Sequence, residues 1–239
     1  AVAPAEWDVK RLVTSAVIGG RHAGYPAPAI RRIAEHAMST YRDSLTAMLE
    51  MSVVDRYYLR VEPERFVGQG SHAMDTLIQR TVAQARTRTS AQVFERITQP
   101  GPDGAPRLRE SPPVLQHIDV GSETALIKAI DEYLASVPVD VAVLLSHFRI
   151  TDVALRVVGV GSVGTRCYLV ILVGPNGEPS ILQVKEATRS VLEEFGGWAQ
   201  PENLRGAIVS RGHGRRVTDG QLTLQAMSDV FLGSVRIEG

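Results

Sequence analysis

The residues best suited to chemistry stand close together between Arg156 and Lys185, in the run RVVGVGSVGTRCYLVILVGPNGEPSILQVK. Gly159, Gly161 and Gly164 have GxGxxG spacing, with Ser162 among them. Glycine has no Cβ, so backbone N–H groups in such a loop can come close to phosphate. Lys185, at the far end of the run, offers a compact positive charge to phosphate oxygens. The same spacing also describes a plain glycine-rich hairpin with a surface lysine, so the flanking elements must decide.

Those flanks read as strands. Val157 and Val158 precede the glycines, and Cys167 to Val173 follow as a β-branched and aromatic run. Gly174, Pro175, Asn176, Gly177 and Pro179 form a cluster of turn residues, and Ile181 to Val184 resume a strand that ends at Lys185. Strand, glycine loop, strand, turn, strand is an antiparallel meander, the arrangement with which kinase-like folds cover nucleotide phosphates. A dinucleotide-binding unit would instead open a helix at Gly164. On that alternative the chain is a dinucleotide-binding oxidoreductase with Glu186 as its ribose-binding acid.

Other chemistry finds little support. His22, His36, His72, His117, His147 and His213 are scattered, with no pair at metal-ligand spacing beside a third candidate. Cys167 sits mid-strand and reads as a packed thiol rather than a nucleophile. His213, between Gly212 and Gly214 and beside Arg211, Arg215 and Arg216, reads as part of a solvated loop. Asp152 and Asp219 lack sequence neighbours that would make either one catalytic.

Lys plus Arg and Asp plus Glu each number 26, and the zero net charge gives no sign of a nucleic-acid partner or an anionic membrane surface. The single cysteine excludes an intramolecular disulfide and suits a reducing compartment. With no apolar run of membrane-spanning length and no signal-peptide pattern at the N-terminus, a cytoplasmic location without membrane contact is expected.

The elements that must position the glycine run are helical before it and mixed after it. Trp7 leads into a helix that Gly19, Gly20, Gly24 and Pro26 are expected to stop, and period 3.6 predicts a long helix from about Pro28 to Met51. Val53 to Val61 fits either a helix end or a strand. Helices are expected over Ser71 to Arg88 and Ser122 to Val137, with a surface loop or long hairpin tip over Pro100 to Pro113. Asp140 is expected to cap a short helix reaching His147. After the meander the pattern predicts a helix over Thr188 to Phe195, a strand over Ala207 to Ser210, a helix over Val217 to Ser228 and a strand over Val230 to Ile237. The fold class is therefore α+β, with a mainly helical lobe over 1–150 and an antiparallel β-rich lobe over 151–239.

Four separated segments carry a resemblance. EWDVKRL (Glu6 to Leu12), VGVGSVGTRCY (Val158 to Tyr168), LQVKEA (Leu182 to Ala187) and GQLTLQAMSDVFLG (Gly220 to Gly233) resemble, in this order, the bacterial family catalogued as domain of unknown function 2252. The resemblance covers essentially the whole chain and implies a relation to protein-kinase-like folds, aminoglycoside phosphotransferases included. It implies a permuted order, with the helical part first and the β-meander lobe with a helix late. Gly159, Gly161, Ser162 and Gly164 would cover the phosphates of ATP, Lys185 would bind them, and Glu193, Glu194 or Asp219 would pair with that lysine. Asp8 resembles a structural aspartate of phosphotransferases, and equally a helix-start residue. The implied activity is ATP- and Mg²⁺-dependent phosphoryl transfer to a small acceptor. GDAHxxN-like and FDxNDFD-like motifs of the family, which resemble catalytic and metal-binding aspartates, precede the point where this chain starts, and the family continues past Gly239. A fragment of a longer parent is the expectation, with no chemistry of its own. The alternative on these residues is a non-catalytic module that binds nucleotide or protein.

Overall fold

Local sequence decides most of the elements in the computed structural model, which describes residues 6–60, 62–68, 70–87, 89–157, 159, 164–225 and 227–237. The chain groups into two units, Ala1–Arg60 with Ser190–Pro201, and Val61–Arg189 with Glu202–Gly239.

The first unit holds α1 (Glu6–His22), α2 (Ala27–Glu50) and α3 (Val53–Tyr58). Period 3.6 placed α2 within a residue at each end. Of the four residues expected to stop α1, Gly24 and Pro26 lie in the turn after it, with Gly24 at φ 75°, whereas Gly19 and Gly20 stay inside the helix, which runs on to His22. The reason is packing: Ile30 of α2 lies so close that a Cβ on Gly20 would stand 3.1 Å from its Cγ1. Gly20 is there for close approach, and the turn falls later, where Tyr25 N–H bonds to Gly20 C=O at 3.0 Å. The ambiguous Val53 segment is helical because Ser52 caps it, its hydroxyl accepting from Asp55 N–H at 3.1 Å. Of the apolar stripe on α2, Ile30 is buried, whereas Met38 and Leu49 remain 52% and 72% exposed.

In the second unit, a 3₁₀ turn (Pro63–Phe66) precedes α4 (His72–Thr87), and α5 (Ser90–Ile97) follows with Thr89 as its cap. The Pro- and Gly-rich stretch is a real hairpin, β1 (Thr98–Pro100) against β2 (Pro106–Leu108). Next come β3 (Leu115–His117), α6 (Val120–Lys128), α7 (Ile130–Leu134) and α8 (Val139–Ser146). The helix expected over Ser122 to Val137 is thus split in two, meeting at Ala129. Asp140 does not cap α8; Pro138 holds that position and Asp140 sits in the first turn.

The meander then follows in the expected order, β4 (Arg149–Arg156), β5 (Cys167–Val173) and β6 (Pro179–Lys185), although β4 ends at Arg156, so that Val157, expected in the strand, falls just past it and Val158 lies outside the described residues. With β3 they make one antiparallel sheet of order β3-β4-β5-β6. Both faces are covered, which is why β5 is apolar at nearly every position. On one face Ala154, Leu169 and Ile171 pack with Leu108 and Leu115, flanked by Phe94, Ile97 and Ile181. On the other face Val153, Val170 and Leu172 pack against Leu126 of α6.

After the sheet, α9 (Val191–Glu194) belongs to the first unit and is shorter than the helix expected over Thr188 to Phe195. The strand expected over Ala207 to Ser210 and the loop expected around His213 are both helical, lying within α10 (Glu202–Leu224), which breaks at Gly212 with φ 77° and ψ 176°. A four-residue apolar run is too short for its period to separate strand from helix. Val230 to Ile237 is not a strand either. Its backbone bonds to side chains instead: Tyr133 Oη donates to Phe231 C=O at 2.7 Å, and Ser234 N–H donates to Ser136 Oγ at 2.9 Å. The architecture is α+β.

Candidate functional site

The sheet brings one set of residues to a common end. β4 finishes at Arg156, β5 starts at Cys167, and Lys185, the last residue of β6, pairs across from Cys167. The glycine run therefore joins two neighbouring strands at the end of the sheet where Lys185 sits. Gly159 has φ 59° and Gly164 has φ 89°, conformations that cost a residue with a side chain about 1–2 kcal/mol. Gly161, Ser162 and Val158 lie outside the described residues. After Gly164 comes a turn and then β5, so no helix opens there.

Side-chain alternation gives this end a sign of charge. Along each strand every second residue faces the same way. Arg156 is two residues beyond Ala154, Cys167 two before Leu169, and Lys185 four beyond Ile181, so all three share the face of that cluster. Leu155 pairs with Tyr168, which puts Arg156 and Lys185 on either side of Cys167. Both cations are exposed, while the thiol between them is 2% exposed. Burial pushes the Cys167 thiol pKa up, against the pull of the nearby Lys185 and Arg156 charges. Among the described residues, the ion pairs leave out both Arg156 and Lys185.

Arg166, one residue before β5, is different. Its guanidinium and its backbone N–H both donate to Glu186, each at 2.9 Å, and Glu186 N–H returns a bond to Arg166 C=O. Hydrogen bonds from the Arg166 side chain and backbone hold the Glu186 carboxyl below its ordinary range. The clamp closes the strand ends beside Lys185 and commits Glu186, so a ribose-binding role for it has to compete with Arg166.

Of the carboxylates expected to meet Lys185, Asp219 has a partner of its own. Asp219 pairs with Arg215 one turn earlier on α10, at 2.9 Å. Glu193 and Glu194 lie on α9, in the first unit, whereas Lys185 belongs to the second. Asp8 stands in the first turn of α1 and accepts from Tyr41 Oη at 3.5 Å.

Sequence reasoning missed a second cluster entirely. Strand β4 pairs Ile150 with Leu172 but Asp152 with Ile171, leaving Thr151 as a bulge residue. The extra residue turns Asp152 onto the face of Ala154, where it is 4% exposed. Its Oδ2 accepts from Leu108 N–H at 2.6 Å and meets His117 Nε2 at 2.9 Å. His117 Nδ1 stands 2.9 Å from Glu110 Oε1, and Arg107 Nε lies 3.7 Å from Asp152 Oδ1. Burial alone would push the His117 pKa down, but its bonds to Asp152 and Glu110 outweigh that and raise it. The His117 backbone N–H, and then its ring, hold Glu110 low. Both imidazole nitrogens are engaged, Nδ1 by Glu110 and Nε2 by Asp152, with Arg107 Nε also 3.3 Å from Nε2, so neither ring nitrogen stands open for base or ligand chemistry. An aspartate inside an apolar strand was the available signal; its partner, 35 residues away in sequence, had none.

Among the described residues no group of three or more His, Cys, Asp or Glu could hold a metal ion, and no helix is long and apolar enough to cross a membrane. The family described as "Uncharacterized protein conserved in bacteria (DUF2252)" matches residues 1–239. The chain belongs to this family. No curated protein and no solved structure matches it. Membership extends over both contact units, so the glycine end and the Glu110–His117–Asp152 cluster both lie within the family's span.

Proposed function

We propose that the glycine end of the β4–β5–β6 meander binds the phosphates of ATP, and that the chain is part of a kinase-like phosphotransferase acting on a small acceptor. One observation carries the reading: a glycine connection between antiparallel strands stands at the same sheet end as Lys185, which forms no ion pair among the described residues. A lysine there acts as a point charge for phosphate oxygens, and glycine backbone conforms to an anion without side-chain obstruction. The charge of Lys185 and the positive-φ backbone of Gly159 and Gly164 support ATP as the ligand of this end.

Mg²⁺ finds no comparable fit. It binds through carboxylates and phosphate oxygens. Glu186 is committed to Arg166, and among the described residues no cluster of acids is free to serve. No metal-dependent step is derived from these residues. The part played here is to hold and orient the polyphosphate, and the acceptor and its activation belong to residues other than these.

The test is a thermal shift of the chain with ATP, Mg-ATP and NAD, with Lys185→Ala in parallel. Stabilisation by ATP that disappears in Lys185→Ala is expected, because ligand binding to the folded state alone raises stability by mass action. Stabilisation by NAD alone would favour the dinucleotide reading. ATP stabilisation unchanged in Lys185→Ala would refute this site.

A further inference from the structure

We infer that Arg156 is a second phosphate-binding cation of the glycine end, and that the Arg156–Lys185 pair selects ligands with two or more linked phosphates. The inference rests on the phosphate-site reading above and specifies which ligand class that site prefers.

Three observations carry it. The first is register. Arg156 and Lys185 close the two strands that flank β5, on the same face, with Cys167 between them. Two strand spacings put their backbones about 10 Å apart. Between them stands Cys167, short and buried. The second is charge. The neighbouring cation Arg166 is neutralised by Glu186, and Arg107 stands near Asp152, whereas Arg156 and Lys185 form no ion pair among the described residues. Two cations without an ion pair among the described residues, at the sheet end that the glycine run joins, therefore favour an anion of more than one negative charge. The third is chemical type. A guanidinium grips phosphate through two parallel N–H bonds, while an ammonium gives a single compact charge. A lone phosphate can satisfy one of them well; adjacent phosphates of a chain can engage the fork on one side and the ammonium on the other.

The arrangement also explains the setting of Cys167. A thiol between two cations would ordinarily ionise readily, yet burial raises its pKa instead. Both charges pull the thiol pKa down, and burial outweighs them.

The experiment is calorimetric titration of the full chain with ATP, ADP, AMP and inorganic phosphate, on wild type, Arg156→Gln, Arg156→Lys and Lys185→Met. Expected is tighter binding of ATP and ADP than of AMP in wild type. Arg156→Gln should weaken ATP by about tenfold or more while changing AMP little, as loss of a charge-assisted contact predicts. Arg156→Lys should recover part of that loss, which a merely misfolded variant would not. If ATP binding needs Lys185 but is unchanged in Arg156→Gln, this inference falls and the phosphate site stands. If AMP and phosphate bind as tightly as ATP, the selection for linked phosphates is refuted. If wild type binds neither ATP nor ADP, the phosphate site itself falls, and Arg156 with it.

Discussion

Replacing Asp152 by asparagine takes away a carboxylate that His117 and the backbone of Leu108 share. The amide can still accept from Leu108 N–H, so the loss falls on the 2.9 Å contact with His117 Nε2. A charge-assisted hydrogen bond of this kind contributes about 1.5–3 kcal/mol, and both partners are well enclosed, with side chains 17% and 5% exposed. His117→Gln should cost more, about 3 kcal/mol, because it leaves the Asp152 charge buried with the Leu108 N–H at 2.6 Å and, as its one remaining cation, Arg107 at 3.7 Å. The double variant should cost less than the sum, giving a coupling of about 2 kcal/mol near pH 6. The pH dependence has a definite sign. His117 is raised in the folded state, so its contribution is complete below the ordinary imidazole pKa and is withdrawn as pH climbs through the raised value. Glu110 is depressed, so its contribution is present above the ordinary carboxylate range and is lost as pH falls through the lowered value. The cluster should therefore hold the β1–β2 hairpin to β4 best between those limits. Urea denaturation of the four proteins at about pH 6 and about pH 9 measures the coupling, and the imidazole proton resonance of His117 reports its titration directly. A coupling under about 0.5 kcal/mol at the lower pH, or one that grows toward the higher, would refute the argument.

Two further outcomes are expected. Gly233→Ala should destabilise by about 1–3 kcal/mol, since a Cβ there would meet Ser136 Oγ at 2.6 Å, Tyr133 Cε2 at 2.7 Å and Val137 Cγ1 at 2.8 Å; an unchanged midpoint in thermal unfolding would contradict the docking of this segment on α7. Cys167, buried and raised in pKa, should resist a water-soluble disulfide reagent in the folded protein and react fully in denaturant; rapid reaction of the native chain would show the thiol to be open at the sheet end.

The meander was legible because its signals are local. Cys167 to Val173 is long, β-branched and closed by a turn cluster, and its neighbours in sequence are its neighbours in the sheet, so β4, β5 and β6 follow from short-range pattern. The α2 helix was legible for the same reason, its period being intrinsic to its own residues. Where two conformations are nearly balanced locally, the sequence was silent or misleading. Ala207 to Ser210 reads as strand until it is carried into α10, and Val230 to Ile237 reads as strand until its backbone bonds to side chains of α7 and the residues after it. For Asp219, one of the carboxylates expected to meet Lys185, the structure shows another partner: an arginine one helical turn away, at 2.9 Å.

By itself, then, the sequence determined the α+β class, the antiparallel meander and the coincidence of glycine turn and Lys185 at one sheet end, since each follows from periodicity and turn chemistry. Only the tertiary structure decided which charges at that end are spent on each other, Arg166 with Glu186, and which form no ion pair among the described residues. One residue makes the point. The bulge at Thr151 turns Asp152 from one face of the sheet to the other, into contact with His117 and Leu108. A strand's side-chain alternation has a period of two, so a single inserted residue changes every later facing, and nothing in the local sequence records it.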